Sequence, residues 1–146
     1  MKLSQKADYA LRAMFVLAQL SGGGKSVRTA DLARFERIPE KFLELILVEL
    51  RKAGLIKSQR GPEGGHRLAR DPAQINVGEI WRAIDGPLSP VAGMDTGSGD
   101  GKSVALTCLA PVWSDVERAI AGVVDGVSLA DLCLRAQAGS VQDYSI

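Results

Sequence analysis

A cluster of turn-forming residues separates two short strand-like segments and limits the folds that this chain can adopt. Residues 60–65 read RGPEGG, and glycine and proline at this density favour a tight reversal of the backbone. Residues 55–58 before the cluster and residues 66–69 after it have the pattern of short strands, so we predict a β-hairpin. Gly54 ends a predicted amphipathic helix, which places this hairpin directly after a helix.

The residues before the hairpin predict two short helices joined by a tight turn. Thr29 caps a helix that extends from residue 30 to about residue 35, and Arg37 and Ile38 form the turn. Pro39 suits the first helical position of the next helix, which extends to residue 53. This pattern is typical of a helix-turn-helix, and a hairpin directly after its second helix makes a winged helix.

Helices also account for most of the remaining chain. Apolar spacing predicts a helix over residues 3–20 with Ser4 as its N-cap, and another over residues 77–84. Residues 86–107 form a long loop rich in Gly, Ser and Asp. A helix over residues 111–124 follows, and Ser128 caps a last helix that frays from Gly139 onward.

The predicted fold is mainly α with one small β-hairpin, a winged helix-turn-helix followed by a C-terminal dimerisation helix. We divide its 146 residues into three regions of one compact domain. Residues 1–70 form the winged helix-turn-helix, residues 71–107 a linking helix and flexible sensor loop, and residues 108–146 the dimerisation helix with a C-terminal cap.

Charge divides the chain into a basic and an acidic half. Residues 1–70 contain 14 Lys and Arg against 7 Asp and Glu, whereas residues 71–146 contain 4 against 10. The net charge of +1 conceals this asymmetry. A basic half favours a polyanionic partner such as nucleic acid, although a solvated surface can also be basic without a partner.

Other classes of protein fit the sequence less well. The chain has one histidine, and no nucleophile, base and acid combine into a catalytic set, so we do not expect an enzyme. The cysteines lack the spacing of metal ligands, so we expect no metal site. Residues 22–26 (GGGKS) lack the first glycine of a phosphate-binding loop. No apolar run is long enough to span a membrane, and we expect a cytoplasmic protein without a membrane partner.

The apolar stripe of the helix predicted over residues 111–124 has two interpretations. The stripe can pack within its own domain, as amphipathic helices usually do, or it can pair with a second copy of the chain. We favour a homodimer, because one winged helix reads few base pairs whereas a two-fold dimer matches a pseudo-palindromic operator. The predicted dimer contacts are Val112, Trp113, Val116, Ile120, Val123 and Val124.

On double-stranded DNA, the helix over residues 39–53 would enter the major groove. Lys41 would donate to guanine, and Glu44 would accept from the amino group of cytosine. Arg60 would enter the minor groove from the hairpin, with Arg67 on the returning strand. The residues predicted to hold the phosphate backbone are Arg28, Arg37, Arg51 and Lys57, together with Thr29 at a helix N-terminus.

Five segments carry a resemblance to a known family. They are residues 2–14 (KLSQKADYALRAM), 50–58 (LRKAGLIKS), 60–68 (RGPEGGHRL), 77–87 (VGEIWRAIDGP) and 128–132 (SLADL). The chain resembles, over nearly its whole length, the bacterial winged-helix transcription regulators that include IscR, NsrR and CymR. This resemblance implies a homodimeric DNA-binding regulator, which we expect to be a repressor. It also implies that Gly64, Gly65 and His66 belong to a DNA-contacting wing, with His66 at the DNA backbone where relatives often have Tyr.

The resemblance leaves the regulatory signal open. Members that bind an iron–sulfur cluster have three cysteines before the long helix. Cys108 matches the last of these, whereas Thr96 and Lys102 stand at the other two positions. Such clusters take about four ligands, mostly cysteine, so we disfavour a cluster and expect no cofactor. Cys108 as a redox-sensitive thiol is an alternative.

Several further alternatives stay open. Asp8 stands where some relatives supply an acidic cluster ligand, whereas Arg12 and Pro111 stand where others supply a histidine. Cys108 could therefore sense redox state or hold a cluster together with Asp8. Cys133 lies on the apolar face of the last helix and is expected in the core. A small effector could act on the loop over residues 86–107, and the basic half could instead bind an acidic protein.

Overall fold

Six α-helices and one two-stranded sheet make up the residues that the computed structural model describes, which are 2–20, 24–94 and 103–144. The helices are α1 (Gln5–Leu20), α2 (Thr29–Glu36), α3 (Glu40–Lys52), α4 (Val77–Asp85), α5 (Val104–Val124) and α6 (Leu129–Tyr144). The strands are β1 (Ile56–Gln59) and β2 (Gly65–Leu68), and a 3-10 turn over Pro72–Gln74 leads into α4. This order agrees with the predicted fold class.

Helix α1 forms the centre of the fold. Ser4 caps it as predicted, because the Ser4 Oγ accepts a hydrogen bond from the Ala7 backbone N–H at 2.9 Å. Its apolar residues recur at spacings of three and four, and Ala10, Met14 and Leu17 are completely buried. Helix α1 packs against α2, α3, α4 and α6, so it joins the N-terminal winged helix to the C-terminal helices.

Helices α2 and α3 form the predicted helix-turn-helix. Arg37 adopts the left-handed conformation between them, with φ of 53°, and the following residue Ile38 is buried. Two predicted helix starts were wrong by one residue. Thr29 is the first residue of α2 rather than its N-cap, since its hydroxyl bonds elsewhere, and Pro39 is the N-cap of α3 rather than its first residue.

The hairpin follows α3 and constitutes the wing, which we define as residues 56–68. Its strands are antiparallel, and in their register Lys57 faces Arg67 and Ser58 faces His66. Val27 pairs with the outer edge of β2, because its backbone exchanges hydrogen bonds of 2.8 and 2.7 Å with that of His66. The wing is therefore joined by backbone hydrogen bonds to the segment that precedes α2.

The C-terminal helices attach to the winged helix next to residue 75. Ile75 and Leu129 are completely buried, and the Ile75 carbonyl accepts a hydrogen bond from the Leu129 N–H at 2.9 Å. Ser128 caps α6 as predicted: its hydroxyl accepts from the Asp131 N–H at 3.0 Å, and the Asp131 carboxylate accepts from the Ser128 N–H at 2.9 Å. This reciprocal pair fixes the start of α6 beside the core.

Both C-terminal helices are longer than predicted. Helix α5 begins at Val104 rather than near residue 111, with Ser103 as its N-cap and Pro111 inside the helix. Helix α6 continues past Gly139 to Tyr144. Residues 104–107, assigned above to the sensor loop, are therefore helical. Residues 95–102 of that loop lie outside the described residues, so its role in sensing or effector binding stays a prediction.

No helix within the described ranges combines the length and the apolar character needed to cross a lipid bilayer.

Candidate nucleic-acid interface

Helix α3 presents one face to the core and the opposite face to solvent. Its apolar side chains at the i, i+3, i+4 and i+7 positions are buried: Leu43, Ile46, Leu47 and Leu50. Lys41 and Glu44, predicted to read bases, are both exposed in the first two turns of this helix. Neither side chain forms an ion pair within the described part of the chain. The N-terminal end of α3 is therefore free to contact a partner.

The outward face of the wing carries a pair of like charges. Lys57 and Arg67 are directly opposite each other in the antiparallel register, and both are exposed. Like charges at facing positions destabilise a sheet, so this pair favours a bound anion over a bare surface. Arg60 is also exposed where the turn begins. These cations stand on a narrow ribbon, as a contact to phosphate groups requires.

Two predicted phosphate contacts and Arg67 of the returning strand converge beside the wing. Arg51, Lys57 and Arg67 line one depression of ≈ 510 Å³ between the C-terminal end of α3 and the wing. Arg37 is exposed at the turn between α2 and α3 and is not part of that lining. The structure therefore groups two of the five predicted backbone contacts, Arg51 and Lys57, and leaves Arg37 at a separate point of the same motif.

His66 faces the inner side of the wing. Its Nε2 lies 2.8 Å from the Thr29 Oγ1, and its Nδ1 lies 2.8 Å from the Ser58 Oγ. Burial, together with the positive charge of Arg51, lowers the pKa of His66 below its usual value. The lowered pKa favours the neutral imidazole. In this form the ring connects both strands of the wing to the start of α2. Its predicted contact with the DNA backbone stays a prediction.

Gly64 and Gly65 have a structural role in the wing. A Cβ added at Gly64 would lie 2.3 Å from the Gln59 carbonyl oxygen. A Cβ added at Gly65, whose φ is 153°, would lie 2.6 Å from the Val27 carbonyl oxygen. Any side chain at these positions would collide with backbone on both sides of the hairpin. Their predicted contact with DNA is untested, but the fold alone accounts for both glycines.

Arg28 also stabilises the wing. Its guanidinium donates a hydrogen bond to the carbonyl oxygen of Pro62 in the hairpin turn, while its side chain stays exposed. The sequence did not reveal this contact, because its two partners are 34 residues apart. Arg28 is thus positioned to fix the wing and to face the same partner as the wing.

The cations of the first 70 residues divide by location. Lys6, Arg12, Arg34 and Arg70 have carboxylate partners. All the cations from residue 37 to residue 67 lack an ion pair within the described ranges: Arg37, Lys41, Arg51, Lys52, Lys57, Arg60 and Arg67. The same elements carry three exposed carboxylates without an ion pair in the described ranges, Glu40, Glu44 and Glu63. The turn, α3 and the wing therefore form one surface with an excess of positive charge, which we call the basic surface.

Sequence analysis missed one exposed side chain on this surface. Leu45 is 62% exposed on α3, although apolar residues of an amphipathic helix usually face the core. Its spacing from Lys41, one helical turn away, was the signal that could have identified it.

Comparison with known proteins decides the class of this molecule. A family model for Rrf2, described as iron-dependent transcriptional regulators, matches residues 3–135. The chain belongs to the Rrf2 family. A Mycobacterium tuberculosis protein described as an HTH-type transcriptional regulator is 42% identical over 133 residues, which cover 90% of this chain and 81% of that protein.

Solved structures of relatives have the same fold. CymR of B. subtilis, described as the global cysteine regulator, gives a TM-score of 0.74 at 32% identity and covers 90% of this chain and 95% of that one. IscR of T. potens gives a TM-score of 0.73 at 38% identity, covering 93% and 88%. The winged-helix prediction is confirmed. This Rrf2 protein is a DNA-binding transcription regulator, and its role is not enzymatic.

The family description raises the question whether this Rrf2 chain can hold iron, and its thiols do not fit a cluster. The sequence has two cysteines, fewer than a cluster usually takes. Cys108 is exposed on α5, whereas Cys133 on α6 packs against the core, and burial raises the pKa of its thiol. Thr96 and Lys102, which stand at the other cysteine positions, lie outside the described residues.

The remaining candidate ligands of this Rrf2 chain have other partners. The Asp8 carboxylate accepts a hydrogen bond from Arg12 at 3.2 Å, and Arg12 also donates to the Glu36 carboxylate at 3.0 Å. These bonds raise the pKa of the Arg12 guanidinium. In the described ranges, no three His, Cys, Asp or Glu side chains form a group that could hold a metal ion. The residues that the structure describes therefore do not fit the group that the family description implies.

In this Rrf2 protein, the long helix α5 is largely uncovered. None of its 21 residues is buried. Of the predicted dimer contacts, Ile120 and Val124 are half-buried and the other four are exposed. Near its C-terminal end, Asp125 accepts hydrogen bonds of 2.6 and 3.0 Å from Arg82 of α4, which lower the pKa of Asp125. The helix is thus fixed at one end while its apolar side is open.

Proposed function

We propose that this Rrf2 protein is a homodimer that binds a pseudo-palindromic operator in double-stranded DNA and represses transcription from it. The observation that carries the proposal is the basic surface, in which the cations of the turn, α3 and the wing have no carboxylate partner among the residues that the structure describes. An excess of positive charge on a winged helix supports a phosphate-rich partner, because each neutralised phosphate releases counterions and favours binding.

The exposed end of α3 supports the assignment of base contacts. Lys41 donates to guanine and Glu44 accepts from the amino group of cytosine when this end lies in the major groove. Arg51, Lys57 and Arg67 neutralise phosphates along the depression beside the wing, and Arg60 enters the minor groove. All these side chains lie on one winged-helix motif. Their common location supports a joint role in DNA binding, which the position of a single arginine or lysine would not.

The open side of α5 supports the homodimer. Val112, Trp113, Val116 and Val123 are exposed large apolar side chains on this helix, a pattern that is costly in water and typical of an interface. A two-fold pair of chains presents two copies of α3 to successive turns of the duplex, which matches a pseudo-palindromic site. A dimer seated across a promoter represses by excluding other proteins from the same DNA.

The regulator works without an iron–sulfur cluster in this proposal. The side chains that could bind iron support this statement, because Cys108 and Cys133 are the chain's two cysteines and Asp8 is paired with Arg12. Protein purified without air and examined by ultraviolet–visible spectroscopy is expected to show no absorbance band beyond about 300 nm, where iron–sulfur chromophores absorb. A brown sample with bands in that region would contradict this part of the proposal.

A gel-shift titration tests the DNA contact. The probe is the region upstream of the protein's own coding sequence, titrated over a series of salt concentrations. We expect sequence-specific binding that weakens steeply with salt. Arg60→Ala should weaken operator binding by about 1–3 kcal/mol, which is roughly five- to 150-fold, with the fold unchanged.

Arg135→Ala is the matched control, because Arg135 is an exposed arginine on α6, away from the basic surface. If the Arg60 and Arg135 variants bind the operator fragment with equal affinity, the wing does not contribute to DNA binding. Binding to an acidic protein but to no DNA fragment at low salt would replace the proposal with a protein-interaction role.

A further inference from the structure

One stripe of α3 combines cationic and apolar side chains on the basic surface. Lys41, Leu45, Val48 and Lys52 follow at spacings of four, three and four residues, so they lie along one side of the helix. All four are exposed, Leu45 by 62% and Val48 by 36%. We call these residues the α3 stripe. A cation stands at each end, and two branched apolar side chains stand between them.

The apolar centre of this stripe has no role in the core. Helix α3 already buries a full face, and neither Leu45 nor Val48 belongs to the core cluster or packs against it. An exposed helix face without a partner usually carries polar residues, because exposed apolar area is unfavourable in water. The two side chains therefore fit a contact that forms only when a partner covers α3.

The end cations indicate which partner that is. Lys41 and Lys52 form no ion pair in the described part of the chain. At 1.5 Å per residue they are about 16 Å apart along the helix, roughly a third more than the roughly 12 Å width of the DNA major groove. A partner that offers base acceptors to Lys41, phosphates to Lys52 and apolar groups between them is a duplex whose groove floor carries thymine methyl groups.

The thymine methyl group is the one apolar feature among the base edges of the major groove. We propose that Leu45 and Val48 contact thymine 5-methyl groups in each operator half-site and set a preference for thymine there. This inference rests on the proposed DNA complex and adds a specificity that Lys41 and Glu44 do not supply. Lys52 holds a flanking phosphate and is indifferent to sequence, whereas Lys41 keeps its proposed contact with guanine.

The test compares two versions of one probe. The upstream fragment of the gel-shift experiment is amplified with either dTTP or dUTP, so that the second version lacks every thymine methyl group and keeps its base pairing. Because a buried methyl group contributes about fourfold to an equilibrium constant, the wild-type protein should bind the dUTP fragment at least about fourfold more weakly. Two or more methyl contacts per dimer should increase this ratio.

Variants assign the effect to the two side chains. The double variant Leu45→Ala, Val48→Ala should lose affinity for the dTTP fragment and bind both fragments equally. Lys52→Ala should weaken binding to both fragments by the same factor, because a phosphate contact does not depend on the methyl groups. Leu134→Ala is the matched control, since Leu134 on α6 is also 62% exposed, and it should change neither affinity.

The outcomes separate this inference from the proposed function. Equal binding of both fragments by the wild-type protein would overturn the methyl contact and leave DNA binding intact. A dTTP preference that persists in the double variant would assign the contact to other residues and also overturn the inference. Absence of binding to either fragment would instead overturn the proposed function. Circular dichroism of the double variant should match the wild type, because both side chains are outside the core.

Discussion

At the scale of single residues, His66 makes the stability of the fold depend on pH. It is the one histidine of the chain, and both of its ring nitrogens lie 2.8 Å from hydroxyl oxygens, those of Thr29 and Ser58. Burial and the facing charge of Arg51 lower its pKa in the folded state. The unfolded chain, with a histidine pKa of about 6.5, therefore binds more protons as the pH falls. The free energy of unfolding should decrease as the pH falls below about 6.5 and be unaffected by His66 above it.

Denaturant titrations at about pH 7.5 and about pH 5.5 measure this effect, and His66→Gln is the comparison, because glutamine keeps hydrogen-bonding groups and does not titrate. The wild type should lose more stability between the two pH values than the variant. If the two proteins lose the same amount, His66 is not the titrating group. The Arg82 guanidinium lowers the pKa of Asp125, so this carboxylate titrates at more acidic pH than this range.

Residue positions on α3 could be predicted from the sequence, whereas contacts between distant segments could not. Lys41 and Glu44 are exposed as predicted, since helical spacing alone determines which side of a helix a residue occupies. The inward orientation of His66 depends on Thr29, 37 residues away, and the bond of Arg28 depends on the position of the wing turn. Local pattern carries no information about such partners.

At the scale of elements, two facing positive charges make the wing less stable than it would be without them. Lys57 and Arg67 are cross-strand neighbours, and replacing one with a carboxylate converts repulsion into attraction. Lys57→Glu should therefore raise the free energy of unfolding by about 0.2–1 kcal/mol while weakening DNA binding by at least about tenfold. Thermal denaturation and the gel-shift titration measure the two effects. Arg135→Glu makes the same charge change on α6, and it should leave DNA binding much closer to the wild type. A Lys57 variant that is less stable yet binds DNA normally would contradict the opposed effects.

Helix α5 begins seven residues earlier than predicted, at Val104 instead of near residue 111. Pro111 favoured a helix that begins there, because proline interrupts a helix interior and is common near its start. The helix instead begins after Ser103, whose Oγ accepts a hydrogen bond from the Leu106 N–H at 3.1 Å. Proline removes one backbone donor, and the carbonyl thus freed at Thr107 can bind water, because this part of α5 is exposed. Cys108 is consequently a helical residue rather than a loop residue.

At the scale of the whole molecule, the fold was predictable because several independent patterns agreed. Apolar spacing, capping residues and turn residues all predicted the same order of helices and hairpin, and most of the buried apolar residues form one cluster that extends from α1 to Leu129. The charge asymmetry indicated a polyanionic partner for the first half of the chain, and this basic half forms the winged helix. What the pattern could not decide was whether the stripe of α5 packs inside its own chain.

The uncovered side of α5 leads to a prediction about assembly. Val116 is exposed in the middle of the predicted contacts, so Val116→Asp would place a charge inside a dimer interface but leave the folded chain intact. Sedimentation should show the wild type at twice the chain mass of 15.5 kDa and the variant near that mass. The variant should bind a full operator no better than a half-site, because two linked reading helices gain affinity that one does not have. Leu134→Asp introduces the same charge at an exposed leucine of α6 and should stay dimeric. A wild-type protein that sediments as a single chain on its own and on DNA would show that α5 has another partner.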